Sequence, residues 1–451
     1  MMIKMESFIK SFRTAFYMSN VLSLILAGGE GRRLWPLTED IPKPLVPYMG
    51  TIPLINFPLS NLVNSHLRRI HVYTQYHSER LNEFVMKHWS RRIGDFDEFI
   101  DHRDGHFRAT DQEYIGTAHA VFENLKEIKR LKPEYVVITS ADHVYKLDFR
   151  QMLEYHREKN ADATIAAKPV RADDAGRFGV LETKKGGRVT QFHEKVPEPP
   201  EIPDFPGYCL ANMGIYIFNA QALYDSMAEE KLDFGHHVFP GIVRGMKIFA
   251  YNQADNKILA PYGDLEILNW MDLGTVRDLF AASMDQLHAL PGTIDLYNQY
   301  WPIHNAMNGY AFPAKIHPAM RLQGGTDEHR LLVSPSCVVE ACSLEEVILG
   351  PGVRIGKGAD LTRVIAHTEA KIGENVNIKD AIVDAGAIVE SGVEIGYDED
   401  ADRKRGFLPK DWKGEKYHTE GIRIIPRNRV ATNNGLTPRS SEDLYTSSSL
   451  I

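Results

Sequence analysis

Apolar positions follow two different rhythms along the chain. From Val21 to about Asp285, short apolar runs alternate with segments of helical spacing. Leu22, Leu24, Ile25 and Leu26 form a dense run that reads as a buried strand, and Ile70–Gln75 and Tyr135–Thr139 are short, β-branched and aromatic. Ala118–Arg130 and Phe149–Lys159 carry the spacing of one-sided helices. Strands alternating with helices predict a Rossmann-like α/β domain, a mostly parallel sheet covered on both faces. The proline-rich stretch at 196–207 reads as a surface excursion, because strand-like Gly214–Phe218 resumes soon after it.

Beyond residue 331 the rhythm changes. Leu332, Val338 and Leu344 are spaced by six, and adding 17 gives Leu349, Ile355 and Leu361. Two further steps of 17 give Ala366, Ile372 and Ile378, then Val383, Val389 and Ile395. All twelve positions are aliphatic, with glycines beside or between them at 350, 356, 373, 386, 392 and 396. Three apolar positions per coil, stacked coil on coil, predict a hexapeptide β-helix with one face a residue short. The expected organisation is an extension at 1–20, an α/β domain at 21–285, a connector at 286–331, a β-helix at 332–430 and a disordered tail at 431–451. Trp301, Tyr300 and Tyr310 suggest a connector that packs down, and a charged insert after Gly396 precedes one last strand in GIRIIPRNRV.

Composition narrows the class. The 451 residues exceed one ordinary core, and 43% hydrophobic with 25% charged residues describes a soluble globular chain. A formal charge of −8 argues against a chain built to coat nucleic acid or an anionic membrane. Cys209, Cys337 and Cys342 have no metal spacing and cannot make a disulfide framework, which predicts reduced thiols in the cytoplasm. No apolar run approaches the roughly 20 residues needed to span a bilayer. The first 20 residues interleave basic and aromatic residues; the expectation is that the fold begins near Met18 and that residues 1–17 lie outside it.

The chemistry concentrates first at Leu24–Leu37. The buried run breaks into Gly28-Gly29-Glu30-Gly31, followed by Arg32, Arg33 and Lys43 on a proline-stiffened segment. Glycines let backbone N–H groups approach an anion, and nearby cations complete a polyphosphate cradle at the carboxyl end of a sheet. No Gly-Lys-Ser/Thr follows, so the turn is not a Walker A loop. Asp142 stands just past the strand YVVITSA, and Asp272 lies in WMDLGT between Trp270 and a glycine turn. Short carboxylates there suit magnesium, although an aspartate after a strand more often caps a helix or shapes a turn.

Taken together, these stretches resemble a known family. LxGGxGxRLxPLTxxxxKPxVP is the opening signature of the sugar-1-phosphate nucleotidylyltransferases. PLSNLVNSHLRRIHVYTQY (58–76), YIGTAHAV (114–121), EYVVITSADHVYKLDF (134–149), MGIYIF (213–218), WMDLGT (270–275) and DLYNQYWPI (295–303) bring the chain close to bacterial ADP-glucose pyrophosphorylases. The resemblance implies a left-handed β-helix after the α/β domain, ATP and glucose 1-phosphate as substrates, magnesium, a homotetramer and a small-molecule allosteric effector. The alternatives are a relative that uses UTP, dTTP or GTP, and a catalytically silent regulatory subunit.

Roles follow position by position. Asp142 and Asp272 match the metal-binding aspartates, and Arg33 and Lys43 the triphosphate-binding cations. Gly28 and Gly29 would offer backbone contacts to the nucleotide, Gln75 and the Gly116-Thr117 turn would contact the base, and Tyr114 would flank it. Glu194 and Lys195 match the sugar-phosphate motif; Gly179, Asn212, Tyr216, Asp233, Phe234 and Trp270 would line the sugar pocket. The attacking phosphate is already charged near neutral pH, so the reaction requires no general base. It requires charge neutralisation and alignment.

Five departures stand out. Arg32 replaces a threonine, His119 the aspartate of GTADAV, and Asn212 a serine beside the sugar. Val196 precedes the proline of the usual EKP, and Glu39 stands where some activator-regulated members carry lysine.

Overall fold

The computed structural model describes residues 18, 20–90, 98–105, 114–261, 263–290, 293–305, 314–316, 321–322, 330–409, 411–412, 415–416 and 419–439. The expected extension at 1–17, Tyr310 and the end of the tail lie outside the described residues. Two compact units emerge, and they cut across the expected boundaries. The first comprises residues up to 29 with 55–271 and 294–304; the second comprises 30–54, 272–293 and the chain from 305 onward.

The first unit is built on a nine-stranded sheet. Its order is Phe99–Asp104, Arg69–Thr74, Val21–Ala27, Tyr135–Ser140, Tyr208–Asn219, Ala163–Arg171, Ile248–Asn252, Arg188–Glu194 and Gly179–Lys184. The first four strands are parallel, and Tyr208–Asn219 runs antiparallel to both its neighbours. Leu22, Leu24, Val136 and Ile138 are fully buried, which is why those runs are continuous rather than alternating. The helix expected over 118–130 is two helices, Thr117–Glu123 and Leu125–Arg130, that break at Asn124. Asn124 sits outside helical geometry, and its side-chain amide donates to the Ala120 carbonyl and to the Tyr114 hydroxyl. Phe149–Glu158 is a single helix capped by Asp148, whose carboxylate accepts from the Arg150 N–H.

The second unit is organised around the left-handed β-helix. Long strands Ser343–Leu349, Asp360–Ala366 and Asn377–Val383 stack in parallel, with Leu344, Leu361, Ile378 and Ile395 in one row. A second ladder aligns Ile355, Ile372 and Val389. The register of the first coil differs from the expectation. Val333, not Leu332, pairs with Leu349, and Val339, not Val338, pairs with Ile355. That coil is one residue shorter than those that follow, and its runs of adjacent aliphatics hide the step.

One row of corners, in three successive coils, is made without glycine. Glu346, Arg363 and Asp380 all adopt positive φ there, at intervals of 17 residues. Their side chains form a charge ladder, Arg363 lying 2.7 Å from Asp380 and 3.7 Å from Glu346. Opposite charges stacked at the spacing of the coils offset part of the backbone strain.

The solenoid also begins and ends beyond the expected limits. Lys315–Ile316 and Arg321–Leu322, within the expected connector, already pair into its two ladders. Arg429–Thr432 joins Ile388–Val389 and folds back on Gly435–Pro438, so residues 431–438 are not a disordered tail. Val430 and Ala431 are buried and continue the core ladder. Within the charged insert, Asp402 on the helix Glu399–Lys404 is fully buried and pairs with Arg405 and Arg423.

Residues 30–54 and the helix Val276–Leu287 belong to this unit as well. Tyr48 donates its hydroxyl to the Ala282 carbonyl at 3.2 Å, Gly50 lies against Ile348, Ala366 and Gly350, and Arg363 covers the Phe280 ring. No helix among the described residues is long and apolar enough to cross a membrane.

Candidate active site

Three neighbouring parallel strands of the first unit end in candidate site residues. Val21–Ala27 runs into Gly28 and Gly29, Arg69–Thr74 into Gln75, and Tyr135–Ser140 into Ala141 and Asp142. Ala27 is in register with Thr74, and Leu26 with Ser140, so these turns share one carboxyl edge. Such an edge, with strands departing on both sides of the first, is where α/β sheets bind ligands.

The nucleotide candidates come together there. A Cβ on Gly28 would stand 3.9 Å from Gln75 and 4.0 Å from the Tyr114 ring, while the corresponding space at Gly29 is open. Gln75 is buried, and its amide oxygen accepts from the Tyr114 backbone N–H at 2.7 Å. Tyr114 is a core residue, its hydroxyl held by Asn124. Its ring forms a wall behind Gly28 and Gln75 rather than an exposed flank.

Asp142 has two close neighbours. Its carboxylate accepts from the Ser140 hydroxyl, and His143 Nε2 lies 3.6 Å away. On the far side of that ring Trp270 Nε1 donates to His143 Nδ1 at 3.3 Å. With Nδ1 accepting, the ring proton is on Nε2 and faces the carboxylate. Trp270 thus turns the N–H of His143 toward Asp142. His143 was not among the residues singled out by sequence; its only local signal is its place beside Asp142.

The sugar candidates also converge. Glu194 is paired with Gly179, and its carboxylate occupies the space that a side chain on Gly179 or Gly235 would need. Lys195 follows with φ 48°, and its exposed Nζ lies 3.4 Å from Glu194 Oε1. Asn212 donates to the Tyr216 hydroxyl at 3.0 Å and accepts from the Gly214 N–H at 2.9 Å, so its amide is fixed. Tyr216 packs against Phe234, and burial pushes its phenol well above the usual range. Asp233 caps the next turn, accepting from the Gly235 and His236 N–H groups. Phe178, beside Gly179, packs on Trp270 at 5.4 Å.

Buried cations support the frame. Lys146 is fully buried, its Nζ 2.8 Å from Glu266 and 2.5 Å from the Asp295 carbonyl, which fastens the 257–267 loop and the 294–304 segment to the sheet. Burial pulls the Lys146 ammonium below its usual range, and Glu266 opposes that pull. Lys168 donates to Asn269 and to the Trp270 carbonyl, and burial lowers it as well. Neither lysine was anticipated from sequence.

Arg33, Lys43 and Asp272 belong to the second unit. Gly31 turns the chain with φ 72°, and a Cβ there would stand 2.9 Å from Lys43 Cβ, so only glycine fits. Thr38 donates to the Gly31 carbonyl at 3.1 Å and closes the loop. The Arg33 guanidinium lies over Gly274 in the turn after Asp272; a Cβ there would meet its Nη1 at 3.1 Å. Thr275 and Asp278 then start the following helix with a reciprocal capping box. Arg32, which replaces a threonine, is paired with Glu30 at 2.5 Å, and Glu39 with Arg429 at 3.2 Å.

Comparison with known proteins places the chain in a family. The family model described as Nucleotidyl transferase matches residues 22–289, and that described as GlmU-like, C-terminal hexapeptide matches residues 312–411. A glucose-1-phosphate adenylyltransferase of Methylobacillus flagellatus is 35% identical over 86% of this chain and 90% of its own. Proteins of the same name from Aliivibrio fischeri and Thermodesulfovibrio yellowstonii are each 35% identical over 91% of this chain and 98% and 97% of theirs. The matches span both the α/β part and the β-helix that follows, and the chain belongs to the glucose-1-phosphate adenylyltransferase family of nucleotidyl transferases.

Proposed function

We propose that the protein transfers the adenylyl group of ATP to α-D-glucose 1-phosphate, giving ADP-glucose, the donor for glycogen-type α-glucan synthesis, and pyrophosphate. The observation that carries this reading is the shared carboxyl edge holding Gly28, Gln75 and Asp142, in a chain 35% identical to named adenylyltransferases over most of its length.

A phosphate oxygen of glucose 1-phosphate attacks the α-phosphorus, a new P–O bond forms, and the bond to the β-phosphate breaks so that pyrophosphate leaves. The nucleophile is an anion before it reacts, so no residue needs to remove a proton. Arg33 and Lys43 neutralise the triphosphate and the charge that collects on the leaving group. Lys195 supplies the counter-charge for the sugar phosphate, and Glu194 and Asp233 accept from sugar hydroxyls. Gln75 and the Gly116-Thr117 turn select the base.

Asp142 and Asp272 are the proposed ligands for magnesium, which would neutralise charge across the phosphates. The donor chemistry fits. Asp142 presents a partly exposed carboxylate at the end of its strand. One or two carboxylates with water and phosphate oxygens is the preference of magnesium. The same family resemblance supports a cytoplasmic homotetramer under control by a small effector.

Incubation of the purified chain with glucose 1-phosphate and each of ATP, UTP, dTTP and GTP tests the proposal. Pyrophosphate release should be fastest with ATP. Faster release with another triphosphate would reassign the base, and no release with any would refute catalysis.

A further inference from the structure

The turn that begins the helix Thr117–Glu123 is bonded to a segment more than a hundred residues away. The Ala118 and His119 N–H groups both donate to the Leu232 carbonyl, at 3.1 and 3.3 Å. The Thr117 hydroxyl donates to Asp233 Oδ2 at 2.8 Å and accepts from the Phe234 N–H at 3.3 Å. Gly116 faces the same Leu232 carbonyl so closely that any side chain would force the two segments apart. His119, the residue that departs from GTADAV, reinforces the junction. Its Nδ1 accepts from the Ile115 N–H at 3.1 Å, and its Nε2 lies 3.4 Å from Glu230. Residues 115–119 and 230–234 are therefore one mechanical piece.

We propose that Thr117 is a positioning residue that couples the two substrates, so that ATP bound against the 114–117 turn raises the affinity for glucose 1-phosphate at Asp233 and Phe234. The coupling rests on the proposed assignment of these two segments to nucleotide and sugar. Either ligand that orders its own segment also orders the other through the Thr117 bridge, and the second ligand then meets a smaller ordering cost. The Asp233 carboxylate is held at both oxygens, by Thr117 on one side and by the Gly235 and His236 N–H groups on the other. A shift of the Thr117 hydroxyl therefore re-aims the group offered to the sugar.

Calorimetric titration of the full chain with glucose 1-phosphate tests this, with and without a saturating ATP analogue carrying a methylene between its α- and β-phosphates. The analogue occupies the nucleotide site and cannot transfer. Wild type should bind the sugar phosphate about fivefold more tightly with the analogue, the lower end of ordinary coupling between sites. Thr117→Val should reduce that gain below about twofold, and Thr117→Ser, which keeps the hydroxyl, should restore it. An undiminished gain in Thr117→Val overturns the coupling. An Asp233→Ala variant that binds glucose 1-phosphate like wild type overturns it differently, by removing the sugar assignment beneath it.

Discussion

Trp270 Nε1 donates to His143 Nδ1 at 3.3 Å, and that bond determines which face of His143 carries its proton. The proton then points towards Asp142, whose carboxylate lies 3.6 Å from Nε2. Asp142 is a proposed metal ligand, and residues that support such ligands typically change metal affinity or activity by about 10- to 100-fold when removed. His143→Ala should accordingly lower turnover by about tenfold at modest magnesium and shift half-saturation for the metal upward. A magnesium titration of the initial rate checks this; unchanged half-saturation would separate His143 from the metal.

Lys195 is the exposed cation beside Glu194 and the proposed counter-charge for the sugar phosphate. Lys195→Ala should raise KM for glucose 1-phosphate by about tenfold or more and leave that for ATP nearly unchanged, because only one substrate loses a charged hydrogen bond. Initial-rate kinetics with each substrate varied in turn decide the matter. Equal effects on both would mean that Lys195 supports the site generally.

The buried Lys146–Glu266 pair makes a stability prediction. Lys146→Met leaves a carboxylate buried without its partner and should cost about 3–5 kcal/mol in a urea titration. The double variant Lys146→Met/Glu266→Leu should recover part of that loss. A single variant as stable as wild type would show the pair to be dispensable.

Acid should destabilise the first unit through two histidines. Burial lowers His71 and His156 to about 4, and a base that is neutral when folded binds its proton more readily when unfolded. Their contribution is fully present above the unfolded value near 6.5 and is lost as pH falls towards 4, at a cost on the order of 2–3 kcal/mol each. His156 is held by Thr164 and Asn219, so His156→Gln, which keeps polar ends without a titrating ring, should flatten the profile. Unfolding midpoints at pH 7 and pH 4.5 test both statements.

Much of this was readable in the sequence, and the exceptions have physical causes. Buried strands such as Val21–Ala27 declare themselves as apolar runs, and the β-helix does so because every coil must return aliphatics to the same three rows. The first coil misleads because Leu331, Leu332 and Val333 are all aliphatic, and so are Val338 and Val339. Val430 and Ala431 are masked by basic and polar neighbours. Residues 30–54 join the β-helix unit through contacts such as Gly50 with Gly350, which no local pattern encodes. His143 and Thr117 are the same case in the site. Each takes its role from a partner more than a hundred residues away, Trp270 for one and Asp233 for the other.

Glu39 bears on regulation. Its carboxylate accepts from Arg429 at 3.2 Å, so the position that is cationic in some activator-regulated relatives is here an anion already paired. Fructose bisphosphate should therefore activate weakly or not at all through this contact, since like charges oppose binding. Strong activation abolished by Glu39→Ala would refute the charge argument.

Catalysis by charge neutralisation, with no general base, is the central claim, and Asp142 and Asp272 are its proposed anchors. Asparagine at either position keeps shape and hydrogen bonding but removes the charge that holds the cation. The most direct measurement is turnover of Asp142→Asn and of Asp272→Asn at modest magnesium, each with its thermal melt. Both variants should fold as wild type and lose a factor on the order of a hundred or more in turnover. Near wild-type turnover in either variant, or unfolding in place of inactivity, would contradict the assignment of that aspartate.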